Sequence, residues 1–148
     1  MYKALDLSKY IVNKCIADNS PISNLQLQKI LYYIQEEFIK GGNEAFSDNI
    51  EAWQFGPVIP NVYYYYCGNG SMPIYDAFDT FSIQDGDKQR IDSIVRKKRK
   101  LSPWALVADT HTPGGPWDTV YDGGRGERQV IPVELIKKWV NNGHQQRR

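Results

Sequence analysis

Apolar residues recur at helical spacing along most of this chain, broken by short alternating stretches and by glycine–proline pairs. Leu7, Tyr10, Ile11 and Cys15 stand at i, i+3, i+4 and i+8, which predicts a first helix from about Leu7 to Ala17 with Asp6 as N-cap. Asp18-Asn19-Ser20-Pro21 ends it. The second helix carries the clearest signal. Ser23-Asn24-Leu25-Gln26 is a capping box, in which the serine and glutamine side chains each satisfy a free backbone N–H, and Ile22 and Leu27 can staple the entry. Leu27, Ile30, Leu31, Ile34 and Phe38 form its buried stripe, and Gly41-Gly42 stops it.

Ile50 to Phe55 alternates apolar and polar residues, which predicts one strand ended by Gly56-Pro57. Pro60 opens a short third helix that closes at Gly68. Ile91, Ile94 and Val95 mark a fourth, whose last turn is Arg96-Lys97-Lys98-Arg99-Lys100. Ser102-Pro103 starts a fifth, with serine as N-cap and proline at N1. Pro116-Trp117 opens one more helical turn, and Pro132 starts a last helix with Ile136, Trp139 and Val140 on one side. Trp53 to Phe55 and Gln129 to Ile131 are candidates to pair. A two-stranded ribbon is marginal alone and has to pack on helices. The expected fold is mostly α within α+β: five to seven helices with a small two- or three-stranded antiparallel sheet, one domain over 1–148, and a polar, frayed tail from 141 that includes His144.

Composition narrows the function classes. A chain of 148 residues with 41% hydrophobic and 24% charged residues is an ordinary globular length and make-up. No apolar run is long enough to span a membrane, and the N-terminus has no signal-peptide core. Cys15 and Cys67 form no CxxC pattern, which suits two reduced, semi-buried thiols in a cytoplasmic protein. A net charge of +1 argues against a dedicated nucleic-acid binder. Aromatic residues make up 13% of the chain and include 10 tyrosines and 4 tryptophans, types that dominate interfaces as well as cores.

Catalytic chemistry finds little support. No nucleophile elbow, zinc-protease helix or phosphate loop is present. His111, at the end of the fifth helix, is placed for a cationic, dipole-favoured imidazole that holds a turn, against a catalytic reading with no base or nucleophile beside it. Asp85, Asp87 and Asp92 suit a helix start better than a metal site. No cofactor and no metal are assigned. Gly123-Gly124-Arg125-Gly126-Glu127-Arg128 is either a flexible, solvated loop or an anion cradle with two guanidiniums. Arg96 to Lys100 is a solvated turn, a grip for an acidic protein surface, or a nucleic-acid contact. Successive residues on a helix step by about 100°, so Tyr63 to Tyr66 cannot all face one core. Val62, Tyr63 and Tyr66 share a face with Ile59. Tyr64 points away as an incidental exposed ring or a partner contact, and Tyr65 lies between.

Several segments together resemble a known family. Leu25-Gln26-Leu27-Gln28-Lys29-Ile30-Leu31-Tyr32-Tyr33, Glu51 to Tyr63 with Trp53-Gln54-Phe55-Gly56-Pro57, Leu101-Ser102-Pro103-Trp104, Thr110-His111-Thr112 and Pro116-Trp117 resemble the Panacea domain of SocA-like antitoxins and phage-associated GepA-type proteins, in order and over nearly the whole chain. The resemblance implies a bacterial or prophage antitoxin, not an enzyme, encoded beside a cognate protein toxin that it neutralises by direct binding. One family member instead delivers its toxin to an ATP-dependent protease. A nucleic-acid-binding regulator acting through residues 96–100 is the remaining alternative. The motif residues Leu27, Leu31, Trp53, Phe55, Gly56, Pro57, Tyr63, Trp104, His111, Pro116 and Trp117 are expected to be scaffold, with Trp104 and Trp117 packed beneath the turns. Partner contacts are expected on variable surface: Tyr64, Tyr65, Arg96, Lys97, Lys98 and Arg125, with the side of the second helix around Tyr33 as a further candidate. The basic run and the cations Lys88 and Arg90 depart from the usual family pattern.

Overall fold

The computed structural model describes residues 1–76, 78–79 and 82–143. His144 and the rest of the expected tail from 144 onward lie outside them. The elements in order are α1 (Ala4–Ala17), α2 (Asn24–Lys40), β1 (Glu51–Trp53), β2 (Gly56–Val58), α3 (Pro60–Tyr66), α4 (Asp85–Lys98), α5 (Pro103–Thr110), α6 (Pro116–Tyr121), β3 (Gln129–Val130) and α7 (Val133–Asn141). The fold is the expected helical α+β arrangement, with a three-stranded antiparallel sheet in the order β2-β1-β3.

The organising element is α2, which packs against α1, α3, α4, α5, α7 and β2. Its capping box forms as read: Ser23 Oγ accepts from Gln26 N, and Gln26 Oε1 accepts from Ser23 N. Leu27, Ile30, Leu31, Ile34 and Phe38 are buried. So is most of the polar side, because distant backbone lies on it. Gln28 Oε1 accepts from Ile59 N at 2.9 Å, and Gln35 accepts from Ala45 N at 2.8 Å while donating to Phe46 O at 2.9 Å. Buried amides are stable in a helix when they complete backbone groups that would otherwise be unpaired.

Three expectations about elements are corrected. Helix α1 starts at Ala4, not Leu7, and Asp6 lies in its first turn rather than at the cap. The free Ala4 N–H donates to Asp48, 44 positions away, at 3.0 Å, a cap that no local pattern reveals. The stretch 50–55 is not one strand: the chain turns at Gln54-Phe55, and Gly56-Pro57-Val58 returns as β2, with Trp53 opposite Gly56. The expected pairing with the 129–131 segment does form, between Glu51–Ala52 and Gln129–Val130. Finally, the two thiols expected to be semi-buried differ: Cys15 is fully buried and Cys67 is exposed. Among the described residues no helix is long and apolar enough to cross a membrane.

Candidate partner-binding surface

The hairpin, the start of α2, helix α3 and the loop before β3 meet around a groove of about 420 Å³. Leu25, Lys29, Trp53, Phe55, Tyr63 and Arg128 line it. Each element is held there by a specific local constraint.

The hairpin turn needs glycine at 56. Its φ is +111°, and a Cβ there would lie 2.8 Å from Thr110 Oγ1 and 2.9 Å from Lys29 Cε. This tight seat turns Phe55 outward, where it is 45% exposed. Its ring meets Trp104 edge to face at 5.2 Å, and Trp104 is itself 61% exposed. The expectation that Trp104 packs beneath the turns is therefore corrected, and Phe55, expected as scaffold, stands largely in solvent. Ser102 caps α5 as read, and the second helical position then faces solvent. Trp117 is buried as expected: its indole N–H donates to Trp53 O at 2.7 Å, tying α6 to the hairpin.

Helix α3 distributes its rings as the helical step requires. Val62 and Tyr66 are buried, Tyr63 is half-buried, and Tyr64 is 56% exposed. Tyr63 lies edge-on to Trp53 at 4.9 Å, with Tyr64 at 6.0 Å from the same indole. Tyr65 belongs to a different patch, against Tyr66 and Phe78 with Lys9 over its ring at 5.3 Å.

The glycine-rich loop is solvated at Gly123, Arg125, Glu127 and Arg128, as expected, but it is anchored at Gly126 and at the Arg128 backbone. Gly126 is buried so tightly that a Cβ would fall 1.7 Å from Val120 O. Arg128 N donates to Ala52 O at 2.6 Å, and Arg128 itself takes a left-handed φ of +66°. Its guanidinium lies 3.9 Å from the Trp53 ring and donates to Tyr64 Oη at 3.1 Å. Arg125, the other loop arginine, points elsewhere and pairs with Asp122 at 3.3 Å.

Lys29 forms part of the groove floor. It is fully buried, and its ammonium donates to Pro57 O at 3.0 Å. Burial without a carboxylate partner pulls its amine down to about 7. Burial also lowers the His111 imidazole below its ordinary range, helped by the nearby charge of Lys29 and opposed by Asp118. His111 stacks on Trp117, ring centroids 3.6 Å apart, with Tyr121 also stacked on Trp117 at 4.6 Å. It ends α5 as expected, but as a neutral stacked ring and not as a dipole-stabilised cation.

The basic run divides. Arg96 and Lys97 are exposed on α4, and Lys97 lines a separate shallow cleft with Glu37, Gln89 and Arg90. Arg99 pairs with Asp18 at 2.9 Å. Lys98 is buried, 3.8 Å from Asp109 and 3.9 Å from the Tyr33 ring centroid, and the Tyr33 hydroxyl donates to the same Asp109. Both Tyr33 and Lys98 therefore serve an internal charge cluster joining α2, α4 and α5, and neither offers the exposed contact expected of it. Of the expected positions, the structure gathers Trp53, Phe55, Tyr63, Tyr64 and Trp104. It disperses Tyr33, Tyr65, Arg96, Lys97, Lys98 and Arg125. The position passed over individually was Arg128. Its signal was the glycine-rich loop, which the sequence reading did treat as a possible anion cradle.

The fold is organised on one buried capping-box helix and carries an aromatic groove with an exposed arginine on its wall. Residues 27–118 match the family model for SocA-like antitoxins, Panacea domain. The chain is 32% identical over 130 residues to Antitoxin SocA of Caulobacter vibrioides (strain NA1000 / CB15N), an alignment covering 79% of this chain and 69% of that protein. This chain belongs to the SocA-like, Panacea-domain antitoxin family. No solved structure matches it.

Proposed function

We propose that this protein is an antitoxin that neutralises one toxin protein by binding it directly. The observation that carries the reading is a pair of ring clusters, Trp104 on Phe55 and Tyr63 with Tyr64 on Trp53, whose Phe55, Trp53 and Tyr63 line one groove, on a chain of an antitoxin family. Tryptophan, tyrosine and arginine are the types that most often anchor an interface, and truncating such an anchor costs ~2 kcal/mol or more. Rings that already rest on one another lose little freedom when a partner covers them, so the surface is ready before the toxin arrives. Neutralisation then needs only occlusion or distortion of the toxin, and no chemical step on this chain.

The test uses cells that express the protein encoded beside this gene under a separate promoter. Co-expression of the present chain restores growth, and it does so equally in cells lacking their ATP-dependent proteases. Rescue confined to protease-containing cells would replace sequestration with proteolytic delivery.

A further inference from the structure

We infer that the groove receives an acidic segment of the partner, a loop or strand that carries an aspartate or glutamate beside an apolar side chain. This rests on the direct-binding reading above and adds where the partner sits and what it presents. Two basic side chains line the groove: Arg128, exposed on the wall, carries the standing charge, whereas Lys29 is buried in the floor with its amine lowered to about 7, and the one carboxylate is Glu127. Neither side chain has a carboxylate partner among the described residues, whereas Arg90, Arg99 and Arg125 each hold one. Glu51, close by, is occupied by the Trp53 indole N–H at 2.9 Å. The Arg128 guanidinium stacks on an indole, which holds its plane and leaves in-plane N–H donors free for a two-pronged carboxylate contact. Trp53, Tyr63 and Phe55 supply the apolar wall against which the neighbouring side chain packs.

The backbone gives an independent reason to single out Arg128. The loop uses glycine at 123 and 124, where φ is +67° and +108°. At 128, with φ of +66°, it carries arginine instead. Left-handed backbone costs a side-chain-bearing residue free energy that glycine avoids, and such strain is kept where the side chain is needed. Held by Trp53 and Tyr64 and open to solvent, this guanidinium forms no ion pair among the described residues and is placed to take an anion that a partner presents.

Calorimetry with the purified protein encoded beside this gene tests the inference. Arg128→Gln binds at least about tenfold more weakly than wild type. Arg128→Gly, which relaxes the left-handed position and keeps the melting temperature within a few degrees, loses affinity equally. Lys138→Gln, which removes an exposed cation on α7, leaves affinity within about twofold. Replacing the partner's aspartates and glutamates one at a time by their amides finds one whose loss has no further effect once Arg128 is gone, the signature of a direct pair. Arg128 variants that bind as tightly as wild type would overturn the inference and leave direct binding standing. Failure of the wild-type chain to bind the partner at all would remove the direct-binding reading as well. Single-stranded RNA displacing the partner from the groove would replace the acidic segment with a phosphate backbone.

Discussion

Lys29 and Gly126 show how single positions are bound to their surroundings. The unfolded Lys29 amine keeps its proton to about 10.5, whereas the folded amine keeps it only to about 7. Between those values the unfolded chain binds the extra proton, so stability rises with pH there. Each pH unit contributes about 1.4 kcal/mol from this group. The penalty is absent above the unfolded value, accumulates as pH falls through the window, and is complete below about 7. Lys29→Met removes it, so the stability of the variant relative to wild type grows as pH is lowered from 9.5 to 7.5 and levels off beneath 7. Urea titrations at a series of pH values measure the difference, and parallel curves for the two proteins would contradict a buried amine held without a carboxylate. At Gly126 the constraint is steric. A Cβ placed 1.7 Å from Val120 O forces the loop off α6, so Gly126→Ala costs about 2–4 kcal/mol, read as a fall in the urea midpoint. An unchanged midpoint would mean that the loop is not seated as described.

At the scale of elements, local signals and tertiary position separate cleanly. The α2 capping box, the Ser102-Pro103 start of α5 and the apolar stripe of α2 are written in adjacent residues and were legible. The first turn of α1 was not, because its cap is Asp48, far along the chain. The hairpin was half legible: alternation and Gly56-Pro57 marked a strand and its end, but only the contact of Gly56 with Lys29 and Thr110 shows that the glycine sits inside the returning strand. Trp104 and Trp117 make the same point about burial. Both follow a proline that opens a helix and both are tryptophan, yet Trp117 is buried and hydrogen-bonded while Trp104 stands in solvent. Ring chemistry suits a core and an interface equally. Trp117→Ala therefore costs about 3–5 kcal/mol of stability, and Trp104→Ala costs well under 1 kcal/mol, as an exposed substitution does. Thermal denaturation of the two variants side by side checks this; equal losses would show that Trp104 is core after all.

At the scale of the whole molecule, the sequence resemblance and the fold agree on a scaffold, while the groove proposed as the binding surface is assembled only in three dimensions. Tyr64 could be singled out from the helical step alone. That it meets Trp53 and Arg128 depends on α3, β1 and the 123–128 loop converging, and Arg128 is 64 positions from Tyr64. The same long-range logic removes Tyr33 and Lys98 from the surface: each looks solvent-bound in its own helix, but Asp109 of α5 draws both inward. The family match ends at residue 118, before the loop that places Arg128. The most direct test of the central claim is reconstitution from two purified proteins alone. The chain and the protein encoded beside its gene are mixed, and complex formation and toxin activity are followed together as the antitoxin is titrated. Activity that falls to zero in step with complex formation, with no protease, nucleotide or other factor added, is the predicted result; full toxin activity in the presence of excess antitoxin would contradict it.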